Sequence, residues 1–282
     1  MSAPFRWDLV TPDQLGSLPA GTASPDLPFL GDLVACAGKV LARSGNGDLV
    51  FVGRSLDSMF DLLGGALTGL ADDRRLHRLP LSFAGLAGRR RPLSPAQTAR
   101  ARELLAGLGV TPYGLARRAR PVTFVDVVSG GSTFRQLFTL LRSWIDEERQ
   151  AWPVIRRKVR FVGVTPRRRT SPNTYRWQQC EEWPAQLPAR SVVNVSLHPW
   201  VWSYFGDHQV KLTRTFRPEC WLAEAPGPDR DEPTRQAIAE ALAIVSYGRS
   251  RAGRQAIARA VRGEPTLSEP WLRTLVTALN NG

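Results

Sequence analysis

The chain has 282 residues and 43% of them are hydrophobic, which allows a full buried core and excludes a wholly disordered chain. Its formal net charge is +13, and arginine supplies almost all of the cations because lysine occurs only at Lys39, Lys158 and Lys211. No run of about 18 apolar residues is present to span a bilayer, and the N-terminus lacks the basic and apolar stretches of an export signal. These features favour a cytoplasmic protein with no membrane partner.

The N-terminal part of the sequence predicts an extension, followed by the first strand and helix of a core. Proline and glycine interrupt the first 30 residues, which we interpret as a surface extension that wraps on the core. A short amphipathic helix at residues 31–42 completes an N-terminal extension of residues 1–47. The apolar run at residues 49–53 predicts a strand, and apolar residues spaced by three and four predict a helix over residues 56–70.

The middle of the chain continues with a strand and a helix. Residues 76–84 predict a strand that Pro80 either breaks or confines to an edge. The Ser-Pro pair at residues 94–95 is typical of a helix cap followed by the first helical position, and this helix is expected to end at Gly107 or Gly109.

Three further apolar runs, residues 122–128, 159–164 and 191–197, predict central strands, and an apolar stripe over residues 134–148 predicts a helix. Strands rich in branched aliphatic residues that alternate with helices are typical of parallel βαβ units. The predicted fold class is therefore α/β, with a mostly parallel central sheet flanked by helices. Ligands of such sheets gather at the carboxyl ends of the strands.

The end of the chain predicts three helices, at residues 234–247, 250–262 and 268–279. They form a helical C-terminal extension over residues 226–282. The core domain is then residues 48–225, with a tryptophan-rich hood region in its later part.

The cysteines and histidines do not form a recognisable metal motif. Cys36, Cys180 and Cys220 are far apart, which excludes a disulfide framework and a CxxC pair, and we expect buried free thiols. A zinc site that combines the last two cysteines with His198 and His208 has suitable residue types but matches no defensible ligand spacing.

Arginines cluster at residues 89–91, 117–120, 156–158 and 167–169, at the edges of predicted elements. A guanidinium group pairs well with phosphate oxygens. The clusters are either solvated faces in a chain whose coding sequence favours arginine, or contacts to an anionic ligand or a nucleic acid.

The segment VTFVDVVSGGSTFRQL, residues 122–137, places a glycine-rich turn between a strand and a helix. Such a junction directs several backbone N–H groups and the positive end of the helix at one place, which suits a phosphate. The hydroxyl groups of Ser129, Ser132 and Thr133 add donors. Asp126 precedes the turn, where it fits sugar hydroxyls or a metal ion. In the alternative interpretation, the glycines only make the turn tight.

Three common motifs do not fit this chain. The stretch GDLVACAGKV has the wrong spacing for a Walker loop, and residues 129–133 lack the GxGxxG dinucleotide fingerprint. Ser129 lacks the preceding glycine of a nucleophile elbow.

The same segment resembles the signature of the type I phosphoribosyltransferase superfamily. In that signature, four apolar residues, two acids and two apolar residues precede a five-residue loop of small and hydroxyl residues. Here the register needs no gap: SGGST at residues 129–133 is the loop, and Val125 and Asp126 occupy the acidic pair. The sequence departs from the signature at Val125, where most members have an acid, and at Thr123.

The resemblance implies a phosphoribosyltransferase-like fold in which the loop holds the 5-phosphate of phosphoribosyl pyrophosphate (PRPP), while Asp126 faces the ribose as a catalytic residue. The implied phosphate-binding residues are Ser129, Gly130, Gly131, Ser132 and Thr133. With Val125 in place of an acid, one sugar contact is lost. The alternatives are weaker PRPP binding, a different phosphoribosyl ligand or no transfer at all.

A second match follows the first core strand, where the family binds pyrophosphate. Gly53, Arg54 and Ser55 occupy that position, and Arg54, the second catalytic candidate, can hold two phosphate oxygens at once. The resemblance also implies Mg²⁺ as a cofactor, bound mainly through phosphate and water, so no residue is assigned as a metal ligand. The arginine-rich loop at residues 89–91 is a candidate mobile cover.

The predicted function is phosphoribosyl transfer, a glycosyl transfer, from PRPP or a related phosphoribosyl ligand, or the reverse reaction. The alternative is a non-catalytic regulatory or assembly protein of the same fold that binds a nucleotide or phosphoribosyl ligand. The acceptor is not identified, and a homodimer stays open. Asp207 or His208 could hydrogen-bond a base, and five tryptophans either stack on it or fill a hydrophobic core. These are Trp177, Trp183, Trp200, Trp202 and Trp221.

Overall fold

The computed structural model describes residues 3–70, 76–83, 92–167, 176–224 and 227–282. Its strands are β1 (Asp48–Val52), β2 (Leu76–Leu79), β3 (Val122–Val127), β4 (Val159–Pro166) and β5 (Val192–Leu197). They form a sheet in the order β2-β1-β3-β4-β5, in which every neighbouring pair is parallel. The predicted α/β fold with a parallel central sheet is confirmed.

The helices in the described residues are α1 (Leu30–Arg43), α2 (Asp57–Leu67), α3 (Pro95–Gly107), α4 (Pro112–Arg117), α5 (Ser132–Glu147), α6 (Trp152–Ile155), α7 (Pro199–Ser203), α8 (Glu232–Arg249), α9 (Arg251–Arg262) and α10 (Pro270–Asn281). The long helices expected from apolar periodicity are all present, with ends shifted by a few residues. Ser94 caps α3 and forms a capping box with Gln97. The sequence pattern does not predict α4, α6 and α7, because each has six residues or fewer and cannot show a repeating stripe.

Strand β2 ends at Leu79, well before the predicted end of this strand. Pro80 follows directly and has no N–H group to donate to a neighbouring strand, which ends the ladder. Leu81 then forms an isolated parallel bridge with Phe216, which brings a late segment of the chain beside the end of β2.

Apolar side chains cover both faces of the sheet. On one face, α1, α2, α8, α9 and α10 pack on strand residues that include Val125. On the other face, α3, α4 and α5 pack on residues that include Phe124, together with the indole rings of Trp177, Trp183 and Trp221. Consecutive residues of a strand point to opposite faces, so Val125 and Phe124 belong to different cores. The C-terminal helices thus form part of the layer over the first face.

The N-terminal segment is attached to this layer by apolar and ionic contacts. Trp7, Leu9 and Leu15 are buried against α8. The guanidinium group of Arg6 donates two hydrogen bonds to the carboxylate of Asp61 on α2, at 3.1 and 2.6 Å. The segment therefore belongs to the folded body.

The three cysteines are free, but only Cys36 is buried. Burial raises the pKa of its thiol to about 12. Cys180 and Cys220 are exposed at the ends of single 3₁₀ turns, so the expectation of buried thiols is wrong for these two. Within the described residues, each helix is too short or too polar to cross a lipid bilayer.

Candidate functional site

A cavity of about 360 Å³ opens at the carboxyl ends of β1, β2 and β3. The strands β1 and β3 are neighbours, but the chain leaves β1 towards β2 on one side and continues from β3 towards β4 on the other. The cavity therefore lies at the switch point of the strand order, where parallel sheets bind ligands. Its lining includes Gly53, Arg54, Ser55, Asp126, Ser132 and Thr133, so residues of both predicted anion-binding loops contribute to one space.

Two segments that follow β5 in the chain complete the wall of this cavity, residues 206–207 and residues 213–217. Together they are called the outer wall. Phe216 fixes it to the end of β2, because its carbonyl oxygen accepts a hydrogen bond from the Ser82 N–H group at 2.9 Å. Asp207 lines the cavity, as its candidate role requires, whereas His208 lines a different cavity. The sequence offers little signal for residues 213–217, beyond the alternation of threonine and arginine in TRTFR.

The junction between β3 and α5 has the backbone expected of an anion-binding turn. Strand β3 ends at Val127 and α5 begins at Ser132. Among the described residues, the N–H groups of residues 129–134 donate to no backbone carbonyl, whereas the Arg135 N–H group donates to the Gly131 carbonyl at 3.0 Å. These N–H groups lie at the positive end of a four-turn helix, which favours an anion at this position.

The members of the 129–133 loop differ in their surroundings. Ser132 and Thr133 line the cavity, while Ser129 and Gly130 are exposed and do not. Gly131 is buried, has a φ of 83° and lies so close to the indole ring of Trp177 that a Cβ atom would overlap the ring. The geometry at Gly131 fits the interpretation that glycine serves a tight turn, and the phosphate-binding role of the other members stays a prediction.

Asp126 is buried beside the cavity. Its carboxylate accepts a hydrogen bond from the Val127 N–H group at 2.7 Å and another from the hydroxyl group of Thr133. Burial raises the pKa of the Asp126 carboxyl group to about 8, because these two hydrogen bonds only partly offset the loss of water. Near pH 7 the group is therefore mostly neutral, does not repel an anion and can donate a hydrogen bond.

Packing accounts for the valine at position 125, where the resembled signature has an acid. Its side chain is fully buried in the apolar core on the face of the sheet opposite to Phe124. Asp126 is consequently the single carboxyl group that this part of β3 contributes to the cavity.

Arg54 gives the cavity a positive charge. Its Nη1 atom donates to the Thr213 carbonyl oxygen at 3.0 Å, and partial burial lowers the pKa of its guanidinium group, which stays cationic. Among the described residues, neither Arg54 nor the exposed Arg217 of the outer wall forms an ion pair, whereas Arg214 pairs with Asp229. The lining therefore holds more unpaired cations than ionised acids, which suits an anionic ligand.

A buried polar network lies behind the 53–55 loop. Arg78 pairs with Asp57 at 2.9 Å and donates to the Oγ1 atom of Thr213 at 2.8 Å. Lys211 donates from Nζ to the Ser55 carbonyl oxygen at 3.2 Å. Burial alone would raise the pKa of Asp57, but the charges of Arg78 and Arg6 hold it below its usual range. Burial lowers the pKa of Lys211 to about 8. This network connects the loop to the outer wall, and the sequence gives no local sign of it.

The lining offers few protein ligands for a metal ion. In the part of the chain that the structure describes, no three histidine, cysteine, aspartate or glutamate side chains cluster around one point, so the zinc hypothesis gains no support. Asp126 and Asp207 are the carboxyl groups that line the cavity. They suit Mg²⁺ only if most of its oxygen ligands come from the bound phosphates and from water.

None of the five tryptophans is among the described residues that line the cavity. Trp177, Trp183 and Trp221 are buried core residues, and Trp202 donates from Nε1 to the Val164 carbonyl oxygen at 2.9 Å. Trp200 is 43% exposed on α7. The interpretation as hydrophobic fillers therefore fits the buried ones. The candidate cover at residues 89–91 lies outside the described residues.

In comparisons with known proteins, no family model, no curated protein and no solved structure matches this chain. A function for this chain therefore has to be inferred from the chemistry of the cavity and from the resemblance at two short loops.

Proposed function

We propose that the chain binds PRPP or a related phosphoribosyl ligand in the cavity at the ends of β1 and β3, and transfers the phosphoribosyl group to an acceptor or catalyses the reverse reaction. The observation that supports this most strongly is that residues of the 53–55 loop and of the 129–133 loop line the same cavity. The two loops are 74 residues or more apart in sequence. The first contributes the cationic side chain of Arg54, and the second contributes N–H groups at the start of a helix.

The cavity suits the size and charge of such a ligand. A volume of about 360 Å³ lies near the lower end of the range for small-molecule sites, which fits a sugar with three phosphate groups better than a large cofactor. The unpaired N–H groups of residues 129–134 would hold the 5-phosphate. Arg54 and Ser55 would bind the diphosphate, and Asp126 would face the ribose hydroxyls between them.

The chemistry that follows is displacement at the anomeric carbon. The bond from that carbon to the diphosphate oxygen breaks, diphosphate leaves with the electron pair, and a bond to the acceptor forms. Arg54, with Arg217 of the outer wall, would stabilise the negative charge on the departing diphosphate. Magnesium, when bound to the diphosphate, would neutralise part of the same charge.

A specific observation also favours the non-catalytic alternative, a sensor or assembly protein that binds the same ligand. Val125 is buried on the opposite face, so Asp126 would meet the ribose without a second acid. A site of this kind could bind the ligand and still lack turnover.

Isothermal titration with PRPP and Mg²⁺ tests the proposal, with Arg54→Met as the variant. Arg273→Met is a matched control because Arg273 also donates to one backbone carbonyl, that of Ser268, but outside the cavity. We expect wild type and control to bind and Arg54→Met to lose at least about tenfold in affinity, since a charge-assisted phosphate contact is lost. Absence of binding to wild type would exclude both the enzyme and the sensor.

Turnover separates the two alternatives. Release of pyrophosphate from PRPP in the presence of a panel of nucleobases would identify a transferase. Tight binding of PRPP without pyrophosphate release for any base would favour the non-catalytic protein.

A further inference from the structure

The edge strand β5 borders a second cavity, of about 420 Å³, on the side of the sheet away from β1 and β2. Arg43, Arg176 and Arg190 line it, together with Gln178 and strand residues 192–194. No acidic residue is among the described residues that line this cavity. Its chemistry is therefore that of an anion site, and it shares no lining residue with the candidate functional site.

The cations of this cavity differ in whether they are neutralised. Arg43 pairs with Glu264, with Nε and Oε2 2.7 Å apart. Arg176 and Arg190 are exposed, and neither forms an ion pair with another residue that the structure describes. Two positive charges in this cavity are thus available to an external anion.

The positive surface continues from β5 to the start of β4. Arg160 donates from Nη2 to the Arg190 carbonyl oxygen at 2.8 Å, which brings the amino ends of the two strands together. Residues 156–158, with the sequence RRK, directly precede β4, and neighbouring strands are about 4.8 Å apart. We call Arg156, Arg157, Lys158, Arg160, Arg176 and Arg190 the β5 basic surface.

Arg160 is a partly buried member of this surface that forms no ion pair within the described residues. Its Nε atom is buried and has no hydrogen-bond partner among the described residues, and burial lowers the pKa of its guanidinium group. A partly buried cation without an anion is unfavourable. An anion bound beside Arg160 would offset this cost.

Several arginines elsewhere in the described chain are paired. Arg6 pairs with Asp61, Arg102 with Glu147, and Arg118 with Asp48. The six members of the β5 basic surface form no ion pair within the described residues. Arg54, Arg217, Arg230 and Arg251 also form no ion pair within the described residues, so the surface is distinguished by the exposed Arg176 and Arg190, which line one cavity that lacks a described acidic residue.

We propose that the β5 basic surface binds the phosphate backbone of a nucleic acid. Five of its six cations are arginines, whose planar fork matches phosphate oxygens. These cations lie at and before the starts of two neighbouring strands, so an anion with several charges would meet more of them than a single free phosphate would. No aromatic side chain for base stacking is among the described residues that line the cavity, so we expect contacts to the phosphate backbone and binding of duplexes without sequence preference.

Fluorescence anisotropy with labelled 20-base-pair DNA and RNA duplexes of mixed sequence, over a series of salt concentrations, tests this proposal. The variant is Arg176→Gln/Arg190→Gln. The control is Arg230→Gln/Arg251→Gln, which removes the same charge at two exposed residues that form no ion pair among the described residues and lie outside the surface. Thermal unfolding of each variant checks that it is folded.

We expect wild type and control to bind duplexes alike, and the β5 variant to lose at least about tenfold in affinity. The slope of log K against log salt should also decrease in magnitude by about 2, because two phosphate contacts no longer release counterions. Equal losses in the variant and the control would overturn the proposal, since net charge alone would then account for binding. Failure of wild type to bind either duplex at physiological salt, or binding only to vesicles of anionic phospholipid, would overturn it as well.

Discussion

Arg54 donates a hydrogen bond from Nη1 to the backbone carbonyl oxygen of Thr213 at 3.0 Å, and this contact joins the loop after β1 to the outer wall of the cavity. Thr213 also accepts a hydrogen bond on its side chain from Arg78, and Lys211 donates to the carbonyl oxygen of Ser55. Arg54 and Arg78 thus both contact Thr213, and Lys211, two residues before it, contacts the loop after β1. The shape of the candidate site depends on this buried network as much as on the loops that line it.

The first prediction concerns Arg78→Met. Loss of this guanidinium group leaves the buried carboxylate of Asp57 with weaker compensation, which should lower the free energy of unfolding by about 3 to 5 kcal/mol. Urea unfolding measures the change. Arg102→Met is the matched control: it breaks the more exposed pair with Glu147 and should lower the free energy of unfolding much less than Arg78→Met does. Similar losses in both variants would show that the network around Asp57 contributes nothing special.

The second prediction compares two glycines of the same loop. Gly131→Ala should lower the free energy of unfolding by about 3 kcal/mol, because the residue has a φ of 83° and the new methyl group would meet the Trp177 ring. At Gly130 no atom lies within 4 Å of an added Cβ atom, and the backbone does not have a left-handed φ. Gly130→Ala should therefore change the free energy of unfolding by less than about 0.5 kcal/mol. Chemical denaturation distinguishes the two. A stable Gly131→Ala variant would contradict the packing of Trp177 on this loop.

The third prediction concerns pH. The pKa of Asp126 is raised from 3.8 to about 8 in the folded chain, so between these values the unfolded chain has lost a proton that the folded chain keeps. Asp126 therefore stabilises the fold fully below about pH 4, and this contribution is lost as the pH rises towards 8, by about 1.4 kcal/mol for each pKa unit.

The side chain of residue 126 cannot ionise in the Asp126→Asn variant, so this variant does not lose stability at this position as the pH rises. We expect its free energy of unfolding to rise relative to that of wild type between pH 5 and pH 8. Urea titrations of both proteins at the two pH values measure the difference. Parallel pH profiles would mean that the carboxyl group of Asp126 is ionised in the folded chain.

The fourth prediction concerns the departure at Val125. Val125→Asp restores the acidic pair of the resembled signature, yet it places a carboxyl group in an apolar core and should lower the free energy of unfolding by more than about 3 kcal/mol. Val125→Thr, a smaller polar change at the same position, should lower the free energy of unfolding by less than Val125→Asp does. A well-folded Val125→Asp variant with tighter PRPP binding would show that this side chain reaches the ligand.

The sequence predicts the framework because local patterns determine it. Buried parallel strands appear as apolar runs, such as residues 122–128, and the stripe of α5 follows from spacings of three and four. The relation between the two loops also follows, since both succeed strands of one parallel sheet. Pro80 correctly marks a weak point in β2, although the strand ends there and does not continue.

The sequence does not predict the outer wall or the network behind it, because these depend on contacts between distant residues. Arg78 and Thr213 are 135 residues apart, and Lys211 and Ser55 are 156 apart. Neither pair has a local pattern. The exposure of Cys180 and Cys220 escapes prediction for a related reason: each lies in a single 3₁₀ turn, where apolar periodicity carries no information.

The central claim is that the space between the 53–55 loop and the 129–133 loop holds a phosphoribosyl ligand, and a crystal structure of the protein grown with PRPP and Mg²⁺ tests it most directly. The account predicts the diphosphate within hydrogen-bond distance of Arg54 and Ser55, the 5-phosphate on the N–H groups of residues 129–134, and the ribose beside Asp126. PRPP bound elsewhere on the protein, or a cavity that contains only water at saturating ligand, would contradict it.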